Sequence, residues 1–239
     1  MMKLNRKQKI LRNSLLCLAL ILLTYGALGF PPYTVKGMCE RQRREMLLPE
    51  LEPVYVLKEK HEYSDDWFKR QYTFIIARCE DTYLSFQYDR HGLQNTTKYT
   101  RSLELSEGEG VLCMARTGTM YVAGDFKDVH SAAAVVRATD GTKYRDFPLE
   151  GQRLSEEVFG FDYNNGEGAV YHFYLEDKPE EEMNLGEISM YWYRTPVGDN
   201  GYSYDHADLP VTVTLYDESG AVLDTLNMEV GTYDLHSLY

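Results

Sequence analysis

Apolar side chains along this chain fall into three textures, and each predicts a different kind of element. From Asn13 to Val35 there is no charged residue, an uninterrupted run of 23 positions. Its centre reads Leu15-Leu16-Cys17-Leu18-Ala19-Leu20-Ile21-Leu22-Leu23 and has no polar side. As a helix the run would be about 34 Å long, close to the hydrocarbon thickness of a bilayer. The next stretch, 34–47, predicts a short helix with Val35, Met38, Gln42 and Met46 along one side and basic residues on the others, a stalk or an interfacial helix. Gly37 inside it and Pro49 after it leave an irregular linker as the alternative.

From Val54 onward, short β-branched and aromatic runs alternate with turn residues, and no long stretch has helical period. Strands are expected at 72–77 and 82–88, paired as a hairpin around Glu80-Asp81, and at 101–105, 111–116 and 119–123. A further strand at 132–138 leads into Thr139-Asp140-Gly141-Thr142, where Asp-Gly tolerates the positive φ of a tight turn; Pro148 places the return strand at an edge. The remaining expectations are 157–163, 169–175, 187–194, 211–216 and 221–230. In the last two, Val211, Val213 and Leu215 face one way, Asp217-Glu218-Ser219-Gly220 turns, and Val222, Leu226, Met228 and Val230 supply the returning apolar face.

Seven strands between 132 and 230 match an immunoglobulin-like sandwich, and the same number suits a jelly roll or a barrel. The expected fold class is therefore all-β: an N-terminal transmembrane helix followed by an antiparallel β-sandwich, immunoglobulin-like or jelly-roll-like, outside the cytoplasm. Its segments are a basic tail at 1–12, a signal-anchor helix at 13–32, a juxtamembrane helix or stalk at 33–49, a small β-rich domain at 50–129 and a sandwich domain at 130–239. One continuous β-domain is the rival to the last division.

Charge sharpens the picture through its distribution. Residues 1–48 carry +7 and the remainder −19. A body so acidic repels polyphosphates, which excludes nucleic acid as a partner of that region. Lys3, Arg6, Lys7, Lys9 and Arg12 precede the apolar run without one acidic residue, so the positive-inside rule keeps the N-terminus in the cytoplasm. Ala27-Leu28-Gly29 ahead of Phe30-Pro31-Pro32 also has the spacing that a signal peptidase reads, and cleavage near Gly29 would give a secreted protein instead.

Few residues carry a recognisable chemistry. The chain has no nucleophile elbow, no His-Glu-x-x-His, no phosphate-cradling glycine loop and no dinucleotide fingerprint, so no catalytic residue, metal ligand or cofactor is assigned. Asp205-His206-Ala207-Asp208 and Asp162-Tyr163-Asn164-Asn165-Gly166-Glu167 are rich in oxygen donors but match no calcium loop. Cys79 and Cys113 are read as two apolar thiols, with a disulfide as the alternative outside the cytoplasm. A strand at 187–194 would turn Ser189, Tyr191 and Tyr193 outward, beside Tyr171 on a neighbouring strand. Tyr171, Tyr191 and Tyr193 are accordingly the candidate contacts for a protein partner or a sugar. The expected role is a membrane-anchored binding or scaffolding module of the cell envelope, with a carbohydrate-binding or glycan-processing surface module as the alternative.

Overall fold

The computed structural model of the protein describes residues 5–27, 34–61, 70–91, 104–105, 110–116, 118–139, 141–163, 179–192, 194–197, 201–204 and 208–231. Side chains are described at 5–24, 34–58, 72–88, 110–115, 118–139, 141–163, 179–188 and 208–231. The chain is mostly β and divides into two compact units. The first comprises Met1–Leu51, Val56–Ile75 and Phe86–Arg101, the second Glu52–Tyr55, Ile76–Ser85 and Ser102–Tyr239.

The first unit opens with two helices. Helix α1 (Arg6–Ala27) starts on a reciprocal cap: the Gln8 N–H donates to Asn5 Oδ1 and the Asn5 N–H to Gln8 Oε1, both at 2.9 Å. Helix α2 (Val35–Met46) starts where Thr34 Oγ1 accepts from the Gly37 N–H at 3.1 Å. It ends in a left-handed closure at Leu47, φ 55°, where the N–H groups of Leu47 and Leu48 both reach the Arg43 carbonyl. Glycine usually fills that position, because a Cβ crowds the left-handed backbone. The buried side of α2 is built on Cys39 and Gln42, whereas Met46, expected on the apolar stripe, stays 45% exposed in the last turn. The Tyr88 hydroxyl donates to the Met38 carbonyl at 3.2 Å.

A four-stranded sheet follows, in the order β1 (Glu52–His61), β2 (Arg70–Cys79), β3 (Thr82–His91) and β4 (Glu104–Leu105). The expected hairpin around Glu80-Asp81 is β2–β3, and Glu80 takes φ 55° to close it. Strands β1, β2 and β3 each contribute residues to both compact units.

The second unit holds a seven-stranded antiparallel sheet in the order β13-β12-β7-β8-β9-β6-β5. Its members are β5 (Leu112–Arg116), β6 (Thr119–Ala123), β7 (Ser131–Thr139), β8 (Tyr144–Arg153), β9 (Val158–Asp162), β12 (Asp208–Tyr216) and β13 (Val222–Gly231). Helix α3 (Leu185–Trp192) and a small β10 (Arg194–Val197) and β11 (Gly201–Tyr204) hairpin lie between β9 and β12 in the chain. The end strands β13 and β5 touch, so the sheet curls into a near-barrel. β6 pairs with β9 in the register Thr119↔Asp162 to Ala123↔Val158, which carries the sheet across the 129/130 boundary expected from the sequence.

Alternation explains the interior. On β7, Ala132, Ala134, Val136 and Ala138 are buried, and on β12, Leu209, Val211, Val213 and Leu215. Met120, Val122, Phe147, Phe159, Phe161 and Tyr163 complete the core with Met183, Leu185 and Ile188 from the α3 region. Where β8 leaves β7 and takes up β9, Gly151 leaves room that a Cβ would fill, 2.6 Å from the Ala132 carbonyl oxygen and 2.8 Å from the Phe161 ring. At Pro148, β8 is paired with β7 alone, since its pairing with β9 runs only from Gly151 to Arg153, so the proline occupies a locally open edge although β8 as a whole lies inside the strand order.

Two strand expectations need correction. Residues 187–192 are helical, because Asn184 and Glu187 form a capping box: the Asn184 N–H donates to Glu187 Oε2 at 2.8 Å and the Glu187 N–H to Asn184 Oδ1 at 2.9 Å. Val222 does not share the inward face of β13, because the register slips between Leu215↔Asp224 and Tyr216↔Val222. That bulge turns Val222 outward, 60% exposed, while Val230 stays buried. The expected strand at 169–175 lies outside the described residues.

Gly151→Ala should lower unfolding free energy by about 2 kcal/mol, because the added methyl meets backbone that cannot retreat. Chemical denaturation measures this. Leu47→Gly should instead be neutral or stabilising by up to about 1 kcal/mol, since glycine accepts the left-handed backbone that leucine resists.

Candidate functional site

Helix α1 is the most unusual surface among the described residues. Ile10, Leu11, Leu15, Leu16, Leu18, Leu20, Ile21, Leu22 and Leu23 are all exposed, between 53% and 71%. Consecutive positions on a helix are 100° apart, so Leu20 to Leu23 alone present apolar surface nearly all round. Water-soluble helices hide such surface. Arg6, Lys7, Lys9 and Arg12 confine all the charge to the first two turns. Among the described residues no helix is long and apolar enough to cross a membrane. Beyond Arg12 the described helix runs on to Ala27, 15 positions or about 22 Å.

A second candidate is a polar cluster in the second unit, built around Glu157. Arg78 on β2 donates from Nη1 to Glu157 Oε1 at 2.9 Å and from Nη2 to Glu52 Oε2 on β1 at 2.6 Å. The Tyr83 hydroxyl on β3 donates to the other Glu157 oxygen at 2.7 Å. The loop before β9 positions Glu157, whose carbonyl accepts from the Gly124 N–H at 3.0 Å. The Glu52 hydrogen bond and the Glu157 charge hold Arg78 firmly protonated. Burial, then the hydrogen bond to Glu157 and its charge, push the Tyr83 hydroxyl well above the usual phenol range. Both Glu157 oxygens are engaged, and Arg78 lies between the two carboxylates. Chemically it is a tie joining β1, β2 and β3 to the β9 loop.

The sequence candidates fall differently. Tyr171 and Tyr193 lie outside the described residues; Tyr191 sits on helix α3, with its side chain outside them. A strand-face arrangement of Tyr191 is excluded by that helix. Residues 205–207 and 164–167 of the two oxygen-rich motifs also lie outside the described residues. Among the described residues no group of three or more His, Cys, Asp or Glu side chains could hold a metal ion. No disulfide joins any of the four cysteines. Burial pushes the Cys39 thiol up to about 11 and that of Cys79 upward, so both stay protonated and weakly nucleophilic. The Glu157 cluster leaves no mark in the sequence because its members come from three separated stretches of chain, Glu52, the β2–β3 hairpin and Glu157.

Comparison with protein-family models, with curated proteins and with solved structures gave no match.

Arg78→Ala should cost about 1–2 kcal/mol by stranding the mostly buried Glu157 carboxylate, whereas Glu52→Ala should cost under about 0.5, since exposed pairs contribute little. Denaturation of the two variants checks the contrast. Burial also raises Tyr88, to about 12. A phenol whose folded pKa exceeds its unfolded value of about 10 favours folding below that pH, and the contribution fades as pH climbs towards the folded value. Between pH 9 and 11 the protein should therefore lose about 1 kcal/mol from this residue, a loss that Tyr88→Phe removes.

Proposed function

We propose that the chain is a single-pass membrane protein with a cytoplasmic N-terminus, whose β-rich body lies on the far side and binds or scaffolds another component of the cell envelope. The observation that carries this reading is the all-round exposed apolar surface of α1, with its charge gathered at the N-terminal end. In water, about 25 cal/mol per Å² favours covering such a surface, and a bilayer covers every side of a helix at once. The uncharged sequence continues from Thr24 to Val35, and the full run has the length to span. Basic residues at 3, 6, 7, 9 and 12 orient the N-terminus inward. A binding role agrees with a body whose best-defined polar cluster is an internally satisfied tie. The immunoglobulin-like or jelly-roll-like description of that body belongs to the same proposal, with the near-barrel as its observed form.

The reading predicts that the full-length protein stays in the membrane pellet after alkaline carbonate extraction, and that added protease digests the body only from the extracytoplasmic side. Leu18→Lys with Ile21→Lys, each costing about 3 kcal/mol at a helix centre, should move it to the soluble fraction. Unaltered protein recovered in the soluble fraction would overturn the reading. A purified body that captured no envelope protein and no glycan would overturn the binding role alone.

A further inference from the structure

We propose that the C-terminal tip of α2, formed by Met46 and Leu47 and flanked by Arg43 and Arg44, inserts into an anionic phospholipid surface; the inference rests on the membrane reading of α1. The first observation is conformational. Leu47 takes the left-handed backbone normally given to glycine, and its side chain remains 91% exposed beside the 45% exposed Met46. Among the described residues no packing offsets that strain, since Leu47 stays 91% exposed, and strained exposed residues gather where a partner is engaged.

The second observation is charge. Helix α2 carries Lys36, Arg41, Arg43 and Arg44 against Glu40 and Glu45. Glu40 binds Arg43 and Arg44 at 2.8 and 2.6 Å, Glu45 binds Arg41 at 2.6 Å, and the Glu50 charge also acts on Arg43, which leaves the helix and its end with one net positive charge and Arg44 73% exposed. An apolar tip with a cationic flank matches the boundary between acyl chains and anionic headgroups. The third is reach. Positions 28–34 separate the helices, and seven residues extend no farther than about 25 Å. Because Cys39 and Gln42 occupy the buried side of α2, its exposed end is free to meet lipid.

The full chain, reconstituted in vesicles of phosphatidylcholine and phosphatidylglycerol with brominated acyl chains, tests this. Leu47→Trp and, separately, Leu20→Trp are read against the emission of the native Trp67 and Trp192. Tryptophan makes the same backbone demand as leucine at 47, so the closure is kept. Both added fluorophores should lose most of their emission to bromine, and the loss at 47 should shrink when phosphatidylglycerol is omitted or when Arg43→Gln and Arg44→Gln are introduced together. Quenching at 20 without quenching at 47 would overturn the tip and leave the anchor standing. Quenching at 47 alone would keep the tip as a peripheral contact and remove the anchor. Quenching at neither position overturns both, and quenching at 47 that ignores phosphatidylglycerol overturns the anionic specificity.

Discussion

The second unit depends on matching small side chains to large ones inside one curled sheet. Ala132, Ala134 and Ala138 line β7, while Phe147, Phe159, Phe161 and Tyr163 enter the same interior from β8, β9 and the residue after it. A sheet with one apolar face must cover it. Here the sheet covers itself by rolling until β13 and β5 touch, and the aromatic rings fill the volume that the alanines leave. Each ring so buried contributes about 2 kcal/mol of transfer free energy. Helix α3 adds Leu185 and Ile188 to the same core.

Rolling leaves β6 and β9 with a second face to satisfy, since Tyr121, Ala123 and Val158 are buried on the side opposite Met120, Val122 and Phe159. Tyr55 of β1 lies against Tyr121, with ring centroids 5.7 Å apart. The Arg78, Tyr83 and Glu157 cluster then gives this apolar layer a polar margin in which both oxygens of a mostly buried carboxylate are engaged. The cluster thereby ties β1, β2 and β3 to the loop before β9.

Helix α1 obeys the opposite logic. Where the sheet spends its apolar residues inward, α1 turns them outward around its circumference. Helix α2 stands between the two in the chain, with one side given to the protein and a leucine-tipped end that the protein leaves uncovered.

Local sequence carried much of this. The β2–β3 hairpin, the β7–β8 turn at Gly141 and the Asp217 to Gly220 turn were legible because turn residues and two-residue alternation act over a few positions. The α3 helix also carries a local signal, the capping box Asn184-Leu185-Gly186-Glu187, which outweighs the strand-like alternation after it. The phase of β13 was not, because a bulge at Leu215/Tyr216 is set by how two strands meet and leaves no mark in either one. Nor was the sheet order, in which β6 skips β7 and β8 to pair with β9, nor the meeting of Arg78 with Glu157. Both depend on contacts between residues far apart in the chain, and only packing against a shared core brings those together.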